Sequence, residues 1–175
     1  TITYTATSSE TDVTTAISGT TLTLDPTSSF LGDATITVTA DDGIDQDTTT
    51  FVLSVTNDTP VLTAISDQTL SHATDTLDVS LTATDGDGDT ITLTATSSES
   101  DVTATISGTT LTLDPTSSFL GDSTITVTVV DGIAQATETF TLSVTNAAPA
   151  LTAIADQTIA HNVDTLDVTV TATDG

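Results

Sequence analysis

The sequence predicts an all-β protein made of tandem Greek-key β-sandwich repeats, and three observations carry that reading. Apolar and polar residues alternate over short runs, as at Ile125, Val127 and Val129 or at Phe140, Leu142 and Val144. That is the period of a strand with one core face and one wet face. Thr supplies 48 of the 175 residues whereas Lys, Arg and Met are absent, so β-branched side chains prevail over long helix formers. Finally, LTLDPTSSFLGD at 22–33 returns at 111–122, and ISGTTLTL at 17–24 returns at 106–113, both offset by 89 residues. Aligning residues 1–86 with 90–175 gives 65 identities, so the copies share one fold and the chain reads as an array in extended succession.

The Pro-containing stretches NDTP (57–60) and NAAP (146–149) separate long alternating runs, which is where linkers belong. Domains therefore begin near Thr59 and Ala148. Residues 1–58 read as the C-terminal part of one repeat, 59–147 as a complete repeat and 148–175 as the N-terminal part of the next. In the complete repeat the first strand, 60–65, reads PVLTAI and is cut short by SDQ at 66–68. The second, 75–84, alternates Leu77, Val79, Leu81 and Ala83 with polar residues. Strands at 90–96, 102–106 and 109–113 follow, and 123–130 and 136–145 carry the two apolar rows named above. Seven short strands at this spacing make a sandwich. With four Phe, one Tyr, no Trp and no Cys in the chain, each domain is expected to be marginally stable alone.

Charge narrows the function. Twenty-five acidic residues with no Lys or Arg give a formal charge of -25, which repels phosphate backbones and anionic lipid. Cations are the natural partners. Disorder is excluded by 36% apolar residues in regular alternation. No apolar run approaches the ~20 residues of a membrane span, and any export signal or anchor is expected outside these residues. An enzyme is not expected. His72 and His161 occupy the same position in two copies, with no Cys, Lys or third imidazole nearby in sequence, and read as exposed loop residues. A glycosidase carboxylate pair lacks aromatic company, there being no Trp. The Ser and Thr clusters TATSSE and DPTSSF read as strand and turn composition rather than glycan sites.

The stretch TDGDGDTI at 84–91 puts Asp85, Asp87 and Asp89 at alternate positions, where they repel one another with no cationic side chain to relieve them. Clustered carboxylates, carbonyls and Asn supply the six to eight oxygens at about 2.3–2.6 Å that Ca²⁺ takes, whereas Zn²⁺ prefers Cys and His. An EF-hand is rejected, since its glycine and glutamate positions hold Thr90 and Thr96 and the following TITLTAT reads as strand. The other reading is a solvated turn whose charges maintain solubility.

The order N-x-x-P, I-x-D-Q, A-T-D-G-D-G-D, L-D, T-V-x-D-G and F-x-L-S-V-T-N resembles the bacterial cadherin-like and immunoglobulin-like tandem repeats of large surface adhesins, over the whole chain. The resemblance implies calcium at the junctions between domains. The first junction would use Asp25 of LDP, Asn57 and Asp58 of the linker, Asp85 and Asp87, and Asp131 of VDG, with Asp89 as an extra ligand. The next would use Asp67 of SDQ, Asp114, Asn146 and Asp174. Two departures point to fewer ions per junction: Thr27 and Thr116 stand where an acid usually follows L-D, and the linker acids shrink to Asn-Asp and Asn-Ala.

The function these readings imply is that of structural extender repeats in a long extracellular adhesin or filament at the cell surface, stiffened by calcium at each joint. The alternative is a carbohydrate- or protein-binding module, whose copies should differ mainly in one binding loop. The expected partners are neighbouring copies of the same repeat, end to end, either in one continuous chain or by head-to-tail assembly. Residues 148–175 would complete residues 1–58, with Gly175 near Thr1 of the next copy and residues 165–173 laddered into the sheet of 1–58. Because Asp58 of the first linker is replaced by Ala147 in the second, Ala147→Asp should raise calcium affinity at the second junction. Calorimetry showing no change would remove that linker position from the ligand set.

Overall fold

The computed structural model describes residues 1–72 and 76–174. Asp75, at the head of the expected strand 75–84, and Gly175 lie outside the described residues. The chain divides into two compact units, Thr1–Asp58 and Thr59–Gly175. The first holds β1 (Thr3–Ser8), β2 (Val13–Ser18), β3 (Thr21–Pro26), β4 (Gly32–Asp41) and β5 (Gln46–Val55). β4 lies between β1 and β5 in an antiparallel sheet, and β2 pairs with β3. A small core of Val13, Ala34 and Ile36 is flanked by Leu22, Leu24, Phe30, Val38 and Leu53.

The second unit begins with β6 (Val61–Leu62), β7 (Gln68–Ser71), β8 (Leu77–Ser80) and β9 (Ala83–Thr84). It continues through β10 (Thr92–Ser97), β11 (Val102–Ser107), β12 (Thr110–Pro115), β13 (Gly121–Val130) and β14 (Gln135–Thr145), and ends with β15 (Ala150–Leu151) and β16 (Ala172–Thr173). One sheet has the order β10-β13-β14-β7 and the other β11-β12-β8, with β6 on β9. Their inner faces share one core, Val79, Leu111 and Leu113 meeting Ile125, Val127, Val129, Phe140, Leu142 and Val144. This is an all-β, immunoglobulin-like sandwich, and both apolar rows that alternation marks in the sequence are buried in it.

Two elements depart from expectation, each because a strand changes partner. The expected strand 60–65 is only Val61–Leu62, after which the chain crosses to the other sheet and lies parallel to β14, Gln68 opposite Leu142 and Ser71 opposite Thr145. Both ends of that short ladder are tied: Asp67 Oδ1 accepts the Thr141 N–H at 2.7 Å, and the His72 N–H donates to the Thr145 carbonyl at 2.7 Å. The expected strand 75–84 divides into β8 on β12 and β9 on β6. Between them the Leu81 N–H reaches the Thr109 carbonyl at 2.8 Å while Thr82 accepts from Thr63 at 2.9 Å.

Turn chemistry sets the registers. Ser107 faces Thr110 across Gly108-Thr109, and Gly108 takes φ +61, the left-handed backbone that a two-residue hairpin with glycine first requires. Between β13 and β14, Asp131 Oδ1 accepts the N–H groups of Ile133 and Ala134, both at 2.6 Å. The same turn in the first unit uses Asp42, whose Oδ1 accepts from Ile44 at 2.8 Å and Asp45 at 2.9 Å. These bonds, that from Asp45 foremost, hold the Asp42 carboxyl below its ordinary 3.8.

Two outcomes follow from this packing. Phe140, 3% exposed, should cost about 3–5 kcal/mol when truncated to Ala, a large part of what a domain this size possesses, as read by urea unfolding of the second unit. The Asp42 turn is held by the ionised carboxylate, so its contribution is complete above the ordinary aspartate pKa and disappears as pH falls through the lowered value. The Ile44 and Asp45 amide resonances should therefore titrate with a midpoint below 3.8. A midpoint at or above 3.8 would contradict the assignment.

Candidate metal centre

The loop from β9 to β10 must carry the chain from one sheet to the other, since Thr84 pairs with Val61 while Thr92 pairs with Val130. The second of these pairs also places the 131–134 turn at the same end of the unit. Glycine at 88, φ +81, allows the loop to double back. Asp85 then organises it: Oδ1 accepts the N–H of Asp87 at 3.1 Å and of Asp89 at 3.0 Å. The fold-back gathers three carboxylates, and one oxygen from each of Asp85, Asp87 and Asp89 lies within 4.8 Å of the other two. Asp87 and Asp89 are exposed and Asp85 is half-buried.

Asp85 Oδ2 is the telling atom. It is buried and has no hydrogen-bond partner, while Oδ1 of the same carboxylate is occupied by two amides. A buried acceptor left unsatisfied is costly, and here it stands beside two further negative charges in a protein without Lys or Arg. Carboxylate oxygens alone suit a hard cation such as Ca²⁺ or Mg²⁺ rather than Zn²⁺. The residues present thus fit a bound divalent cation.

The other sequence-level candidates are distributed. Asp131 lies at the same end of the unit as the acid loop, its Oδ1 engaged in the turn described above. Asp25 is exposed on β3 opposite Thr14, and Asp114 occupies the equivalent position on β12 opposite Thr103. Asp114 lines a cavity of about 250 Å³ with His72, Thr116, Ser117 and Phe119. Asn146 follows β14 directly and is exposed. Asp67 is elsewhere: its carboxylate is bound at Thr141, about 17 Å along β14 from Asn146 at the rise of a strand. Asp174 is exposed just beyond β16. Asn57 is half-buried and donates from Nδ2 to the carbonyl of Asp58 at 2.8 Å. Asn57, Asp58 and Asp25 belong to the first unit and the remaining candidates to the second. Among the described residues, Asp85, Asp87 and Asp89 are thus the acids that the second unit brings together by itself.

One residue was misread from the sequence. His72 is half-buried rather than exposed, and its Nε2 donates to the Ser117 carbonyl at 2.6 Å. Nothing local signals this, since Ser117 lies 45 residues away. His161, its counterpart, is exposed as expected.

Comparison with known proteins adds the family. Two titin Ig structures resemble the chain: the domains z1z2 in complex with telethonin, with TM-score 0.48 and 15% identity over 82% of this chain and 81% of that one, and domain M7, with TM-score 0.37 and 15% identity over 53% and 99%. The endo-fucoidan hydrolase MfFcnA4 of glycoside hydrolase family 107 aligns with TM-score 0.38 and 22% identity, over 82% of this chain. The present chain spans only 23% of that enzyme's length. No curated protein matches the chain in sequence. A family model described as bacterial Ig domain matches residues 57–145, just over half of the chain and the whole of the two-sheet sandwich. Such domains are common in surface proteins and are typically not enzymes. Among the described residues no helix is long and apolar enough to cross a membrane. With its sandwich, its repeat and this match, the chain belongs to the bacterial Ig domain family.

Proposed function

We propose that this chain is a run of structural extender domains from a long extracellular adhesin or filament, with calcium bound at the acid-rich end of the domain and stiffening the joint to its neighbour. The observation that supports this most is the partnerless, buried Oδ2 of Asp85 within the Asp85–Asp87–Asp89 group. Asp85, Asp87 and Asp89 would hold the ion, and Asp25, Asn57, Asp58 and Asp131 are the further oxygen donors of that junction. At the following junction Asp67, Asp114, Asn146 and Asp174 are the corresponding set, with Asp67 the least suited because Thr141 already occupies its Oδ1. A bound ion supplies the positive charge that no Lys or Arg side chain of this protein can bring to the loop carboxylates.

A spacer is favoured over a recognition module by how the copies differ. Asp45 against Ala134 lies in the turn before β5 or β14, Asp47 against Ala136 and Thr49 against Glu138 along the strand that follows, and Asp58 against Ala147 in the linker, so these four are not confined to one loop. A chain without Lys or Arg also offers trypsin-like proteases no cleavage site, which suits an exposed position.

Calcium that binds only the folded state must raise its stability. Thermal melts should move upward with excess calcium relative to chelator at matched ionic strength, with half-saturation on the order of 10⁻⁴ to 10⁻³ M. Asp85→Asn should abolish most of that shift. Equal midpoints with calcium and with chelator in the parent protein would rule the calcium site out.

A further inference from the structure

Within the second unit, β14 runs from the 131–134 turn beside the acid loop to Thr145, which pairs with Ser71 at the other end of the sandwich. At that far end the chain encloses a cavity of about 250 Å³ lined by His72, Asp114, Thr116, Ser117, Phe119 and Val144. Its imidazole is held from two sides. The His72 main-chain N–H donates to the Thr145 carbonyl at 2.7 Å, and ring Nε2 donates to the Ser117 carbonyl at 2.6 Å. A carbonyl oxygen only accepts, so Nε2 carries the hydrogen and the neutral ring keeps its lone pair on Nδ1.

We propose that this cavity binds a divalent transition metal such as Zn²⁺, with His72 Nδ1 and the Asp114 carboxylate as its protein ligands and water in the remaining positions. A metal-bound histidine generally gives its other ring N–H to a carboxylate or backbone carbonyl, which fixes both tautomer and ring orientation. The Ser117 carbonyl already fills that place. The backbone around the site is fixed as well. The Thr116 N–H donates to the Asp101 carbonyl at 2.7 Å and the Phe119 N–H to the Thr116 carbonyl at 3.0 Å, while Asp114 stands opposite Thr103 in the β11–β12 ladder. Imidazole together with carboxylate is a donor set for Zn²⁺, Cu²⁺ or Ni²⁺. Phe119 and Val144 give the cavity an apolar wall, where the attraction between cation and carboxylate is screened less than in open water.

The site differs from the acid loop in position and in chemistry. Ca²⁺ and Mg²⁺ take oxygen ligands and have no use for an imidazole nitrogen. Asp114 is the ligand that the calcium reading and this one share, and His72 is the ligand that tells them apart, so neither depends on the other. No Lys or Arg competes for the Asp114 carboxylate, and the charge of -25 draws cations to the whole molecule. With two protein ligands the site stays open to water, so it holds its metal less tightly than a closed site of four.

The chain has two histidines and no cysteine, so His161→Ala leaves His72 as the sole imidazole and no thiol to interfere. In that background, titration with Zn²⁺ alone should move the ¹⁵N resonance of His72 Nδ1 while Nε2 stays protonated, and excess Ca²⁺ should not reverse the movement. Calorimetry should show Zn²⁺ affinity falling roughly tenfold or more in His72→Gln. Asp114→Asn, an exposed position that leaves the imidazole and its Ser117 bond in place, should lower the affinity as well, with urea unfolding confirming that each variant is folded. An Nδ1 resonance that Zn²⁺ leaves unmoved, its return on adding Ca²⁺, or equal Zn²⁺ affinity in folded His72→Gln and its parent would overturn the proposal.

Discussion

The absence of any cationic side chain other than two histidines constrains everything else in this protein. Each of its 25 acids must be satisfied by a hydroxyl, a backbone amide, a side-chain amide, water or a foreign ion. The fold shows the first two solutions repeatedly. Asp78 accepts from Thr112 and Asp122 from Ser143 across strands, Asp131 closes a turn, and Asp67 fastens an edge strand. The abundance of Thr then has a second meaning besides strand propensity, because its hydroxyl is a donor that the missing Lys and Arg cannot supply. In the loop of Asp85, Asp87 and Asp89 two amides occupy Asp85 Oδ1, while its buried Oδ2 has no donor.

Most of the fold was legible because its information is local. Alternation marks Ile125, Val127 and Val129 as one face without reference to any partner, and the 89-residue period marks the repeat by simple self-comparison. What stayed hidden depends on distant partners. β7 has one buried residue, Leu70, and owes its existence to a strand about 74 residues further on, so its four positions carry no period worth reading. The same distinction separates the site residues. Asp85, Asp87 and Asp89 are adjacent in sequence and their grouping could be foreseen, whereas the use of Asp67 by a remote amide could not.

Near-identical copies also show how one position reaches the same burial by two routes. Ser123 is fully buried, and its hydroxyl lies 2.7 Å from that of Ser97, so the polar group enters the interior with its partner already in place. Its counterpart Ala34, equally buried, removes the need for a partner altogether. The flanking hydroxyl keeps its role in both copies, Ser98 Oγ accepting the Thr124 N–H and Ser9 Oγ the Thr35 N–H, each at 3.0 Å. A buried serine is thus tolerated where a neighbouring strand already presents hydroxyls.

The parallel seating of β7 on β14 has a mechanical consequence. These are an early strand and the last long strand of the sandwich, running in the same direction, so tension applied through the two ends of the domain pulls them past each other. The two residues of β6, paired with β9, offer little resistance and give way first. The ladder from Gln68 to Ser71 is then loaded in shear, so its bonds must break together rather than one after another. The Asp67 carboxylate, gripping the Thr141 amide at the upstream edge of that ladder, adds a bond to the group that shares the force. A domain connected in this way yields abruptly instead of unzipping.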